Sequence, residues 1–218
     1  TVYLHRSSTH QSVTFHPAVE FVFQLVLWLT TGINRVEWVA VHIYHHLHTE
    51  KEEDPHSPIV LGFWKVQLWN PFLYKKAARN PKVMRYGKHI EQTWAELAVF
   101  SSPLAGLVIG IIVACWIFGW KNGLTLSVTH ALLYLFFLNN LVNGLCHWSG
   151  YKNFPKAHAY NNRWVAWITA GEGLHNNHHE NPNSPKLSHK SDETDIGWAA
   201  LKILVFFNLA KLKVEAGA

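Results

Sequence analysis

The chain has 218 residues, of which 49% are apolar, only 15% are charged and 16 are histidine. Ordinary soluble domains carry about 25% charge, so this composition argues against a simple cytosolic globule. Its 11 Trp, 7 Tyr and 12 Phe exclude a disordered chain. The net charge of +5 accompanies apolar blocks rather than basic tracts, which points to a lipid bilayer with anionic headgroups and not to nucleic acid.

In chain order, the segment HRSSTH first places His5 and His10 five residues apart. On an α-helix that spacing splays two side chains by roughly 140° and separates them by about 7.5 Å along the axis. Each imidazole is therefore expected to serve a different ion of a neighbouring pair. Residues 19–41 are apolar but interrupted by Glu20, Arg35 and Glu37. Their unbroken part, 21–33, is too short to span and is expected to lie at the cytoplasmic interface or to pack under it. HIYHH follows, with His42, His45 and His46 at i, i+3 and i+4, on one helical face within about one turn. His48 and His56 come soon after and are expected to be solvated or to support other histidines.

Residues 97–120 contain no charged residue and exceed the roughly 20 needed to cross a bilayer core. A second uncharged block, 122–146, follows after Lys121, so the two are expected to form a transmembrane hairpin. Basic residues lie on both flanks (Lys51 to Lys88 before, Lys152 to Lys213 after), while Lys121 stands alone at the tip. This distribution puts both flanks on the cytoplasmic side. Cys115 and Cys146 lie near or within the apolar blocks and suit packing, not a disulfide framework. His147 closes the second block, and HNNHH then supplies His175, His178 and His179 at the same helical spacing as the earlier group. Residues 196–214 alternate apolar clusters with lysines and are expected to form a basic amphipathic helix. His16, His89, His130, His158 and His189 are isolated and suit interfacial positions. The expected fold is an all-α membrane protein in one domain, 1–218: a transmembrane helical hairpin plus a cytoplasmic helical cap that carries the histidines.

Nine imidazoles are more than one ion can use. A zinc site takes four ligands, and the HExxH motif is absent. Iron and copper accept imidazole, and a dinuclear site with four or five ligands per ion would use the whole set. Uncoordinated imidazoles packed this densely would carry an unexplained desolvation cost. Carboxylates that could orient them are Glu50, Asp54, Glu172 and Asp195, with Glu172 on the favoured face three residues before His175. The chain has no nicotinamide fingerprint and no haem or iron–sulfur motif.

HRSSTH, HIYHH, NGLCH and GEGLHNNHH, in this order around an apolar hairpin, resemble the membrane fatty-acyl desaturases of the stearoyl-CoA desaturase type. The segment DPHSP at 54–58 is similar to one found there, whereas Gln11 stands where arginine is usual. The resemblance implies that His5, His10, His42, His45, His46, His147, His175, His178 and His179 ligate two Fe ions, with Asn143 reaching one through water. It implies O2 as co-substrate and a cis double bond, at Δ9, made in an acyl chain carried by CoA, acyl-carrier protein or phospholipid. Electrons would come from cytochrome b5, a ferredoxin or a flavin reductase. Trp148, Lys152, Arg163 and Trp164 are candidates for receiving the headgroup, with Asp54 and Glu172 supporting the histidines. The family's four transmembrane helices imply that the chain starts near the cytoplasmic end of the second, in a protein expected in a bacterial inner membrane. A histidine-box hydroxylase and, from a different class, a histidine-rich membrane metal-binding or transport protein are the alternatives.

Overall fold

The computed structural model describes residues 1–138 and 140–213. It is predominantly helical, with one small sheet. The chain opens in a π-helix, Val2–Thr9, which Gln11 leaves at φ 50°. Strand β1 (Val13–Phe15) follows. Helix α1 (Pro17–Thr30) starts where proline suits the first turn and the His16 ring accepts from the Ala18 N–H. Helix α2 (Arg35–His48) is capped by Asn34, whose Oδ1 accepts from the Glu37 N–H at 3.0 Å.

A loop then returns the chain through Ser57, the cap of α3 (Pro58–Leu61). Helix α4 (Phe63–Ala78) carries Pro71 in its interior. Proline has no N–H, so the Gln67 carbonyl loses its intrahelical donor. The Asn140 side chain supplies one instead, Nδ2 to Gln67 O at 2.6 Å. The faces of α4 are inverted for a soluble helix. Asn70 is wholly buried, while Trp64 is 70%, Trp69 56% and Phe72 59% exposed. Short helices α5 (Pro81–Met84) and α6 (Trp94–Ala98) complete this region, α6 starting in a Thr93–Glu96 capping box.

The apolar run expected as one helix over 97–120 is divided. Ser102 caps a new helix and Pro103 takes its first position, so α7 spans Pro103–Phe118. It packs on α1 by close backbone approach: a Cβ at Gly106 would collide with the Trp28 carbonyl, and one at Gly110 with that of Leu29. Gly119, at φ 78°, is the whole connection to α8 (Trp120–Leu133). Helix α8 belongs to a longer helix, Trp120–Trp148, of 29 residues and long and apolar enough to cross a membrane. Two π-helical turns, Tyr134–Leu138 and Leu141–Leu145, lie within it, and it ends as α9 (Cys146–Trp148).

Helices α10 (Arg163–Ile168), α11 (His175–Glu180) and α12 (Ile196–Phe206) follow. The single helix expected over 196–214 stops at Phe206, and Ala210–Leu212 form β2, antiparallel to β1 with Val13 opposite Leu212 and Phe15 opposite Ala210. The fold is therefore not wholly helical. Val13 and Ala210 of this ribbon pack against Leu201 and fix the end of the first histidine segment to α12.

Candidate metal centre

Nine histidines from four places in the chain converge. His5 comes from the first π-helix and His10 from its C-cap, His42, His45 and His46 from α2, His147 from α9, and His175, His178 and His179 from α11. They fall into two sets: His5, His10, His42, His46 and His178, and His45, His147, His175 and His179. His5 and His10 belong to the same set, contrary to the expectation from α-helical geometry. Their segment is a π-helix, whose i to i+5 bond from His10 N to His5 O (3.1 Å) brings the rings to 4.9 Å.

Within the first set the Nε2 atoms form a continuous series. His5 meets His178 at 3.0 Å, His178 meets His46 at 2.9 Å, His46 meets His42 at 3.0 Å, and His42 meets His10 at 3.1 Å. In the second set His175 and His179 meet at 3.2 Å, and the Nε2 atoms of His45 and His147 are buried without a hydrogen-bond partner among the described residues. Nitrogens about 2.1 Å from a common ion and at right angles to one another lie about 3.0 Å apart. Imidazole nitrogens at that distance either share a proton or, where Nδ1 carries the proton as opposite the carboxylates, present lone pairs that repel unless a cation lies between them. The donor sets therefore fit two metal ions, one held by five nitrogens and one by four.

Carboxylates fix the outer nitrogens. His5 Nδ1 faces Glu172 at 2.6 Å, His45 Nδ1 faces Asp54 at 2.9 Å, and His147 Nδ1 faces Glu50 at 2.9 Å. Each carboxylate favours the tautomer with the proton on Nδ1 and the Nε2 lone pair free for metal. Glu172, expected beside the third box because of its sequence position, instead holds the first. Glu50 is a full member of the site, with its other oxygen accepting from Ser57. Asp195 touches no ligand histidine; it pairs with buried Arg6 at 2.7 Å.

Burial pushes His10, His42, His45, His46, His175, His178 and His179 well below the ordinary imidazole range, and their close neighbours add to the effect. These rings are neutral at pH 7, as ligation requires. Burial alone would raise the Glu172 carboxyl, but His5 beside it holds it down at about 2.

Helix α11 has no cap of its own, since Leu174 precedes it. Asn161 supplies one from a distance, its Oδ1 accepting from the N–H groups of Asn176 and Asn177 at 2.9 and 3.3 Å. The two asparagines inside the box are anchors. Asn176 donates to Phe154 O and Ala159 O, and Asn177 donates to Leu187 O and Glu193. Trp38, one turn before His42, stacks on its ring at 4.7 Å. His56, expected to be solvated or accessory, is buried against His45, with ring centroids 4.5 Å apart. His48 instead bonds to the Tyr44 carbonyl at 2.8 Å. Asn143 is half-buried on the π-helical turn before His147.

Of the headgroup candidates, Lys152 donates to Ala157 O at 2.8 Å and Arg163 pairs with Asp192. Trp148 and Trp164 are 47% and 81% exposed.

A family model for fatty acid desaturases matches residues 1–190, which include all three histidine boxes. The chain is 29% identical over 220 residues to an acyl-CoA C20 Delta5-desaturase of Anemone leveillei, covering 96% of this chain and 67% of that protein. It is 30% identical over 224 residues to the Delta-9 desaturase-like 2 protein of Arabidopsis thaliana, covering 97% and 72%. It is 28% identical over 216 residues to an sn-1 stearoyl-lipid 9-desaturase of Anabaena variabilis, covering 96% and 76%. The chain thus spans about two thirds to three quarters of the length of these relatives. With a matching family model over most of its length, the chain belongs to the fatty acid desaturase family.

Proposed function

We propose that the chain is an O2-dependent membrane desaturase that makes a cis double bond, at Δ9, in a saturated acyl chain. The observation that carries this reading is the pair of imidazole sets, whose Nε2 spacing suits two ions side by side. His5, His10, His42, His46 and His178 would hold one iron. His45, His147, His175 and His179 would hold the other, with Asn143 reaching it through water. Irons bound there would supply the oxidising power that removing two hydrogens from adjacent methylenes demands, chemistry beyond any side-chain acid or base.

The protein's own residues do the positioning. Glu50, Asp54 and Glu172 set the tautomers of three ligands, and Asn161, Asn176 and Asn177 hold α11 in place. Two electrons per turnover come from a donor of the cytochrome b5, ferredoxin or flavin-reductase kind in this reading. The exposed lysines Lys51, Lys65, Lys76 and Lys82 suit steering of an acidic carrier. The acyl chain is carried by CoA, acyl-carrier protein or phospholipid, and Trp148, Trp164, Lys152 and Arg163 border its access.

Helix α7 and the helix Trp120–Trp148 form the membrane hairpin in this reading. Trp116 and Trp120, 85% and 69% exposed on either side of Gly119, suit the far interface. The histidine-bearing elements then lie together on the opposite, cytoplasmic side, in a bacterial inner membrane. Expression of the full chain in a host lacking its own desaturase, followed by gas chromatography of the lipids, tests this reading. A cis-9 monounsaturated acid is expected; a hydroxy acid as the sole product overturns it. Elemental analysis of iron-replete protein is expected to give two irons per chain, and fewer than about one defeats the two-ion site.

A further inference from the structure

Outside the histidine sets, the interface between α4 and the π-helical turns of the long helix is unusual for its buried polar groups. Asn70 is wholly buried, and neither its Oδ1 nor its Nδ2 has a hydrogen-bond partner among the described residues. The same holds for Asn140 Oδ1, Gln67 Oε1 and the Tyr74 hydroxyl. Gln67, Asn70 and Tyr74 are spaced i, i+3 and i+7, so they line one face of α4 over about 10 Å. Asn140 faces them, tied by its Nδ2 to the Gln67 carbonyl. Each such atom left dry costs free energy comparable to a lost hydrogen bond, so a cluster of them needs an occupant.

The chemistry of the lining selects that occupant. Three amides and a phenol carry no charge, which disfavours a metal ion or a phosphate, and all four both donate and accept, as water does. The two ends of the row select its use. At the outer end Lys75, next to Tyr74, pairs with Glu37 on the surface at 3.1 Å. At the inner end Gln67 Oε1 lies against Gly144, one turn before His147.

We propose that Gln67, Asn70, Tyr74 and Asn140 hold a file of water molecules that carries protons from the Glu37–Lys75 surface to the metal centre. The proposal rests on the desaturase reading. In that reaction O2 takes four electrons, two from the substrate's C–H bonds and two from the external donor. Two hydrogens leave the adjacent methylenes, two protons come from solvent, and two water molecules form. A buried centre needs a way in for those two protons and a way out for the water, and this row is a built one.

Hydroxyl-radical footprinting by brief X-ray exposure of the full chain in detergent tests the hydration without any turnover, because radicals formed from bound water label the side chains it touches. Tyr74 is expected to be labelled several-fold faster than Tyr3, a buried tyrosine whose hydroxyl is bonded to Glu20 and Gln24; Asn70→Leu is expected to slow the labelling. Labelling of Tyr74 as slow as that of Tyr3 overturns the proposal whatever the protein's activity. In the turnover arm, Asn70→Leu and the milder Tyr74→Phe are expected to keep their metal content and KM. Their kcat falls by on the order of 100-fold, with a raised solvent deuterium isotope effect. An unchanged kcat and isotope effect in fully loaded Tyr74→Phe refutes proton carriage. Absence of a desaturated product from wild-type protein, with Tyr74 still labelled, refutes the desaturase reading and leaves the hydrated row standing.

Discussion

At the scale of single residues, the carboxylates behind the imidazoles set how tightly each histidine set would hold an ion. Glu172 serves only the five-nitrogen set, through His5, whereas Asp54 and Glu50 serve the four-nitrogen set, through His45 and His147. Removing such a partner typically costs 10- to 100-fold in metal affinity. Glu172→Gln is therefore expected to lower the affinity of one site by about that factor, and Asp54→Asn that of the other. Iron titration of each variant reads this directly, and equal loss from both sites in every variant would refute the assignment. The convergence of the nine histidines was legible in their spacing, but their division was not: His45 joins the opposite set from His42 and His46, and His178 the opposite set from His175 and His179. Their carboxylate partners were less legible still. Glu50 sits at φ 59° in a tight loop that turns it onto a histidine 97 residues away, and no local pattern records such a contact.

At the scale of elements, backbone exceptions shaped the structure more than propensity did. HRSSTH reads as a segment whose histidines diverge, and one extra residue per hydrogen-bonded ring makes them converge. The break at Ser102 and Pro103 carries a recognisable cap signal, which the continuous apolar run conceals. The C-terminal strand could not be read from its own residues, because Ala210–Leu212 become a strand only by pairing with β1 nearly 200 positions earlier. The Pro71–Asn140 pair allows a test at this scale. Asn140→Leu leaves the Gln67 carbonyl without a donor and is expected to destabilise the protein by about 1–3 kcal/mol. Pro71→Ala supplies an N–H within the helix, so the double variant should recover a good part of that loss. Additive losses in a thermal-unfolding cycle would show that the two are uncoupled. The Arg35–Glu96 pair, at 2.7 Å, joins α2 to α6. Burial alone would raise the Glu96 carboxyl, but its bonds to Arg35 and to Thr93 hold it below its ordinary value. Glu96 therefore adds stability above about pH 4.5, and that contribution fades as pH falls through its lowered folded value. The Tm advantage of wild type over Arg35→Gln is expected to shrink on acidification across that window. A difference independent of pH would mean that Arg35 acts by packing alone.

At the scale of the whole molecule, two arrangements connect distant parts of the chain. Arg6, 1% exposed, binds Asp195, Pro185 O and Ala170 O, so it joins the first histidine segment to the loops around α11 and the start of α12. Losing one partner leaves a buried charge unpaired, at a cost of about 3–5 kcal/mol. Asp195→Leu is expected to lower Tm and to loosen the site built on His5; a Tm equal to wild type would show that the pair is dispensable. The second arrangement is the placement of apolar surface. Trp64, Trp69 and Phe72 on α4, with Leu104, Ile112 and Trp116 on α7 and Leu124 and Leu132 on α8, all face outward. Water would penalise so much exposed apolar area, whereas a bilayer accepts it. The helix from Trp120 to Trp148 is about 43 Å long at 1.5 Å per residue, enough to cross a core of about 30 Å with its histidine end beyond the lipid. Lys121, in the first turn after Gly119, should then lie across the membrane from Lys152 and Lys190. In a background without Cys115 and Cys146, an impermeant maleimide added to sealed vesicles of known orientation is expected to label Lys121→Cys from one side only. Lys152→Cys and Lys190→Cys should be labelled only from the other. Labelling of all three from the same side would place the hairpin on the surface of the bilayer, and the histidine sets would then lose the membrane boundary that separates them from the hairpin tip.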